Sequence, residues 1–364
     1  MASHPFANIT EAKLESLNAL QAQHKADDSP VKADLMVGVY RDNLGNPFVL
    51  PSVKTARQIL FKNPAWNHEY PSSHLGEIEY LSLSEALFFG KDSELLREKR
   101  IASMQCLGAS GACHMGALFL QRHYEPWLES RSRPRVVFIP RESWANHHGV
   151  FRHLGLETAP LPWYNSETHS VDMDKLLAGF DSLPPRSVVV LQTAGQNPTG
   201  CDPSASEWQR LALSLSRGGH LAFLDSAYPG FASGDVEADC APIRLIASAG
   251  VPVLLAATYG KAFGLYGERV GLLSVVLPSA DAARRTASQM KFLARAETGA
   301  QPAFGAAIVQ TILGNARLRR DWDMDVRHMA DELKGRRKRL FHELDQLQTP
   351  GDWSFIVRQA GMFS

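Results

Sequence analysis

Lys261 follows directly on an apolar run, in the segment 257–271 (ATYGKAFGLYGERVG), with Arg269 a short way behind it. A desolvated amine at such a place can attack a carbonyl carbon, and the planar fork of an arginine suits a bidentate dianion. Upstream, Asp225 interrupts the apolar stretch FLDSAY, where a buried carboxylate needs a cation or a hydrogen-bond donor beside it. Asn197, in QNPTG, and Tyr228 offer neutral donors. Residues 108–112 (GASGA) precede a helical run, so unpaired backbone N–H groups there can hold an anion. Each signal is weak alone: lone lysines are mostly solvated, an Asp often caps a loop, and a Gly/Ala/Ser loop is often only a tight turn.

For these groups to meet, something must carry them. Runs of strand length recur at 135–140 (RVVFIP), 187–193 (SVVVLQT), 220–228 (HLAFLDSAY), 251–259 (VPVLLAATY) and 270–277 (VGLLSVVL). Their Val and Leu content without alternation predicts strands buried on both faces. Helices are expected between them, the clearest over 204–217, where Ser204 and Glu207 form an S-x-x-E capping box and Gly218-Gly219 ends the run. Strand–helix alternation predicts an α/β fold with a mainly parallel sheet, which binds ligands beyond the carboxyl ends of its strands. Lys261 falls at such an end. Long helices are expected over 281–296 and 321–347, the second so charged that it reads as a solvated face, and 353–364 (WSFIVRQAGMFS) reads as an apolar strand.

A chain of 364 residues holds about two domains. With 45% hydrophobic and 21% charged residues it is not a disordered chain. Lys and Arg, 38 together, balance 38 Asp and Glu, so charge gives no reason to expect nucleic acid or an anionic membrane as partner. The four cysteines (Cys106, Cys113, Cys201, Cys240) lack metal or framework spacing and read as free thiols in a reducing compartment. Without a signal-type or membrane-length apolar stretch, the expected location is the cytoplasm, and Asn8-Ile9-Thr10 is a chance sequon. The 13 histidines include no H-E-x-x-H, and there is no G-x-S-x-G, Walker loop or G-x-G-x-x-G.

An amine, a buried anion, neutral donors, a phosphate-binding helix start and an arginine together make the set that pyridoxal phosphate requires, the acid paired to the pyridinium nitrogen so that the ring becomes an electron sink. Beyond this, GVYRDNLGNPFVLPSV (38–53), NPTG (197–200), DSAYPGFASGD (225–235) and GLYGERVG (264–271) give the chain its likeness, from about residue 6 to 364, to a known family. It resembles the aspartate aminotransferases among fold-type I pyridoxal-phosphate enzymes.

The resemblance implies a large, mainly parallel seven-stranded cofactor domain over 48–300, between an N-terminal arm and small-domain segment (1–47) and a small α+β domain (301–364). It implies Lys261 as the residue that bonds the cofactor covalently and shuttles the substrate proton. Asp225 is expected on the pyridine nitrogen, Asn197 and Tyr228 on the phenolic oxygen, and Trp144 and Ala227 on the two ring faces. Ser110, the amides at Ala109, Thr258 and Arg269 are expected on the phosphate, with Tyr70 reaching the phosphate of a neighbouring subunit. Arg295 is expected to bind a substrate side-chain carboxylate across a homodimer interface, and Gly38, Trp144 and Asn197 to line the substrate site. The implied reaction is ping-pong transfer of an amino group from L-aspartate or L-glutamate to a 2-oxo acid.

Some positions depart from the family pattern. Gln192 stands where a histidine usually backs the aspartate, and from there it can donate to Asp225; Gln196 replaces another histidine. Gly108 and Gly260 replace serines, and 298–303 (TGAQPA) replaces Y-S-N-P-P. The expected small domain stops short of the family's segment that carries an arginine for the α-carboxylate. These departures keep three alternatives open: an impaired cofactor-binding paralogue, a biosynthetic aminotransferase with another donor, and a different reaction such as decarboxylation or β-elimination.

Overall fold

Apolar residues fill 188–191, 221–224 and 253–257 without a polar face, and each stretch lies as a strand buried throughout. The computed structural model describes residues 4–11, 16–32, 36, 38–130 and 132–363. It divides into two compact units, 1–39 with 363–364, and 40–362. The first unit holds the helix Ser16–Ala26 and, beyond it, Lys32, whose Nζ donates to the His24 carbonyl at 2.9 Å.

In the second unit the strands are β1 (Ile101–Leu107), β2 (Val136–Pro140), β3 (Glu157–Leu161), β4 (Tyr164–Asn165), β5 (Ser170–Val171), β6 (Val188–Gln192), β7 (Leu221–Ser226), β8 (Val253–Thr258) and β9 (Val270–Val276). Seven of them form one sheet in the order β1-β9-β8-β7-β6-β2-β3, while β4 and β5 make a separate ribbon. The mainly parallel α/β sheet expected from the sequence is present: β9 runs against both neighbours and the other pairs are parallel. Because β9 is reversed, it starts where β1 and β8 end, with Val270 opposite Leu107 and Gly271 opposite Thr258. Residues 108, 259–261 and 269 thus share one end of the sheet.

Helix Gly108–His123 crosses the sheet so closely that a Cβ on Gly116 would stand 2.9 Å from the Phe223 ring and from Leu254. Helix Ala205–Arg217 carries the expected capping box between Ser204 and Glu207, and helix Ala280–Glu297 matches the expected one within a residue at each end. The charged helix runs over Ala316–Gln346, starting before the expected position because the Asn315 side chain accepts from Arg317 and Leu318 N–H groups and caps it. Only its outer face is solvated. Trp322, Val326, Met329, Ala330 and Leu333 recur at helical spacing on a buried face. Trp322 stacks on Phe263 at 4.4 Å and donates to the Ala262 carbonyl at 2.9 Å, so this helix braces the loop that carries Lys261.

The expected strand at 353–364 is not formed, and Ser364 lies outside the described residues. Asp352 accepts the Ser354 N–H at 2.8 Å and turns the chain into a short 3-10 helix, Ser354–Val357. Further on, the buried Arg337 donates to the carbonyls of Gln359 at 2.8 Å and Gly361 at 2.5 Å, using groups that a strand would need for its ladder. All four cysteines are free and buried. Among the described residues no helix is long and apolar enough to cross a membrane.

Candidate active site

Asp225 lies one residue from the end of β7, in a strand whose burial leaves its carboxylate 3% exposed. Its Oδ2 lies 3.2 Å from Nε2 of the fully buried His147, whose Nδ1 is 2.9 Å from Ser143 Oγ. Asp225 Oδ1 is buried with no hydrogen-bond partner among the described residues. Gln192 was expected to back this aspartate, and it does not. It accepts the Asn197 N–H at 2.9 Å, donates to the Asn197 carbonyl at 2.9 Å and touches Ser143 Oγ at 3.4 Å. The strand registers Gln192 opposite Asp225 but commits its amide to the adjacent loop.

His147 is the residue that sequence reasoning missed. It sits in helix Asn146–His153 beside another histidine, without ligand spacing, and the available signal was its position one helical turn after Trp144. Gln196, the other glutamine in place of a histidine, is structural: it accepts from Thr199 and donates to the Glu142 carbonyl, holding the loop that contains Asn197.

Lys261 opens the turn after β8. Burial, and then the Arg269 guanidinium, pull its amine down to about 8. Its Nζ lies 5.6 Å from the Tyr228 ring centroid and 5.4 Å from that of Tyr266. Burial and the neighbouring Asp225 charge push the Tyr228 phenol up to about 12, which keeps it a donor near neutrality. Its hydroxyl is 3.9 Å from Met362 Sδ.

At the other end, helix Gly108–His123 begins without a side-chain cap, leaving first-turn N–H groups at Ala109 and Ser110 to an outside acceptor. Arg269, at φ +54°, turns its guanidinium against this helix start. A Cβ on Gly108 would stand 2.5 Å from Arg269 Nη2. The glycine that replaces a serine is therefore the room the guanidinium occupies. Arg269 Nη1 also donates to the Tyr266 carbonyl at 3.1 Å. Thr258, expected as a phosphate donor, spends its hydroxyl proton on the Val270 carbonyl at 3.1 Å and accepts the Gly260 N–H at 3.1 Å.

Around this cluster, Trp144 is half-buried with its ring edge-on to His147 at 5.2 Å, Ala227 follows β7 directly, and Asn197 stands half-buried in its loop. Tyr70 (79% exposed) and Arg295, in the last turn of its helix, are on the surface. Gly38 belongs to the first compact unit.

The donor set fits pyridoxal phosphate on observations of this chain. An unsatisfied carboxylate oxygen is buried near the end of β7, where it can take a pyridinium N–H. An uncapped helix start with a guanidinium against it forms an anion cradle. Between them stands an amine held near its deprotonated range. The description "Aminotransferase class I and II" belongs to the family whose profile matches residues 30–364. The chain is 38% identical to a cytoplasmic aspartate aminotransferase of Oryza sativa subsp. japonica, covering 100% of this chain and 87% of that one. The structure of the aspartate aminotransferase from Saccharomyces cerevisiae cytoplasm superposes with a TM-score of 0.92 at 33% identity, covering 98% of this chain and 86% of that one. An aromatic-amino-acid aminotransferase from Burkholderia pseudomallei, covalently bound to pyridoxal phosphate, gives 0.93 at 32% identity, covering 99% and 87%.

Proposed function

The chain belongs to the aminotransferases of classes I and II and is a pyridoxal-phosphate-dependent aminotransferase, and from that premise we propose that it moves the amino group of L-aspartate or L-glutamate to a 2-oxo acid. The observation that carries the reading is the joint placement of Asp225 with its unpaired Oδ1 and of Lys261 with its lowered amine. The donor follows the aspartate aminotransferase of rice, similar over the whole of this chain.

The cofactor, when bound, supplies an electron sink and an aldehyde carbon that accepts the amino group. The protein's own groups do the rest in this reading. Lys261 Nζ would hold the cofactor until the substrate amine displaces it, and the freed amine, lowered to about 8, would then take the proton from the substrate α-carbon and return it two atoms along, at the former aldehyde carbon. Asp225 Oδ1 accepts at the ring nitrogen. Asn197 and Tyr228 donate at the phenolic oxygen, with Trp144 and Ala227 against the ring faces. Arg269 and the amides at Ala109 and Ser110 bind the phosphate, while Thr258 shapes the turn. Trp144 and Asn197 bound the substrate space.

Tyr70 and Arg295 have exposed side chains because, in this reading, they serve the site of a second copy. The exposed Phe61 and the groove that it lines with Leu60, Trp66 and Phe304 supply apolar surface for that homodimer. We divide the chain into segments 1–47, 48–300 and 301–364; the sheet, from residue 101 to 276, falls wholly within the middle one. A cytoplasmic location follows the same rice relative.

Holoprotein mixed with L-aspartate, with the visible spectrum followed in the absence of a 2-oxo acid, tests the reading. Conversion to the pyridoxamine form, reversed by a 2-oxo acid, is expected. No conversion with aspartate or glutamate, together with conversion by an aromatic amino acid, overturns the donor assignment.

A further inference from the structure

The hydrogen-bond chain behind Asp225 has a direction, and that direction is set at Gln192. The main-chain N–H of Asn197 donates to Gln192 Oε1 at 2.9 Å, and Gln192 Nε2 donates back to the carbonyl of the same residue at 2.9 Å. A peptide N–H can only donate and a carbonyl can only accept, so the Gln192 amide has a single orientation. Its nitrogen also faces Ser143 Oγ at 3.4 Å. With that nitrogen donating to it, Ser143 keeps its own proton for His147 Nδ1 at 2.9 Å, the one acceptor this hydroxyl has among the described residues, and the acceptor-only Asp225 carboxylate on the far side of the ring calls for the same direction. With Nδ1 accepting, the ring proton is on Nε2, which donates to Asp225 Oδ2 at 3.2 Å.

We infer that Gln192 is a positioning residue that couples the two polar contacts of the cofactor ring: its two-point grip fixes the Asn197 backbone, and through Ser143 it fixes His147 in the Nε2–H form that supports Asp225. The inference rests on the reading that Asn197 and Asp225 contact the cofactor. It also gives the departure from the family pattern a purpose. An amide presents donor and acceptor from one edge to one residue, whereas an imidazole carries its two nitrogens on different sides of the ring. An amide also takes up no proton, so the direction of the chain cannot reverse at this link.

The test is ¹⁵N NMR of the His147 ring in the cofactor-free full chain. In the wild type, Nδ1 is expected as an acceptor nitrogen and Nε2 as the protonated one. Gln192→Glu keeps the shape and replaces the donor by a second acceptor. The Ser143 proton then turns to the new carboxylate, and His147 Nδ1 gains a proton. Asp225 would face a ring carrying both protons and accept less strongly at Oδ1, so pyridoxal phosphate titrated into the cofactor-free chain is expected to bind roughly tenfold to a hundredfold more weakly. Should Gln192→Glu not fold, Ser143→Ala removes the same link, and its Nδ1 signal is expected to move to that of an acceptor lacking a donor. A protonated Nδ1 in the wild type, or an Nδ1 signal unchanged in the variants, overturns the coupling. A changed Nδ1 with unchanged cofactor affinity sustains the hydrogen-bond chain and overturns the cofactor role given to Asp225.

Discussion

The two ends of the site solve the same problem, holding one ligand, by opposite means. At the β6–β7 end, His147 and Asp225 are 0% and 3% exposed, and neutral hydrogen bonds run through Ser143 to Gln192. At the β1–β9 end, Arg269 is exposed and the remaining donors are backbone N–H groups at a helix start that glycine keeps open. A buried end, wired except for Asp225 Oδ1, fixes which atom carries a proton, because a misplaced donor there goes unpaired. A wet, cationic end fixes charge and distance and tolerates variation in side chain. The contrast explains why replacing a serine by Gly108 is compatible with binding an anion, whereas replacing a histidine by Gln192 required an altered hydrogen-bond chain.

Lys261 stands between the ends, and removing it should separate holding from chemistry. In Lys261→Ala both ends remain, so cofactor is expected to be retained on dialysis while turnover with L-aspartate falls by about 10²- to 10⁴-fold or more through loss of the proton carrier. Loss of cofactor binding in this variant would show that the two ends do not suffice.

Arg269→Ala breaks the wet end. Cofactor affinity is expected to fall roughly tenfold to a hundredfold with the charge-assisted contacts. The same change should move Lys261. In the wild type, trapping of an aldehyde by borohydride should rise as pH increases through about 8, since the neutral amine is the reactive form. Burial remains in the variant but the neighbouring cation is gone, so the ammonium is less disfavoured and the midpoint moves upward. Added salt should weaken cofactor binding at this exposed end and leave the His147 proton where it is. A midpoint that does not move would assign the lowering to burial alone.

Gly108→Ala is the finest probe. A residue with a side chain at φ +67° costs about 1–2 kcal/mol, read as a lower melting temperature. Its Cβ would displace the tip of Arg269 without deleting it, so affinity should fall less than in Arg269→Ala. Equal losses in the two variants would mean that Gly108 shapes more than the guanidinium.

Legibility in the sequence followed the same divide. Strands β6, β7, β8 and β9 were plain because they are apolar throughout, and Lys261 and Arg269 were plain because they flank such strands. β1 was hidden by Ser103 and Gln105, whose partners lie far off in sequence: Ser103 meets Ser274 at 2.7 Å and Gln105 donates to the Pro302 carbonyl at 2.6 Å. β3 was hidden at the sheet edge by its proline and polar residues. The reversal of β9 has no local signature, although it brings Arg269 to Gly108. His147 was passed over among thirteen histidines because its role depends on a contact across 78 positions, and its place one turn after Trp144 was the one local hint. The end of the chain misled for a related reason: apolar composition suggested a strand, but the carbonyls of Gln359 and Gly361 are taken by Arg337.

The burial of every thiol has a practical side. Burial pushes Cys106, Cys113 and Cys201 upward and Cys240 up to about 12, so none offers a ready thiolate in the native fold. The chain is thereby expected to resist alkylating reagents until it opens, which would make its own cysteines a clock for unfolding, read by thiol labelling against denaturant. It is equally a clean background: a single cysteine introduced on the exposed face of helix Ala316–Gln346 would be the one reactive handle, ready to carry a fluorophore without removal of any native residue.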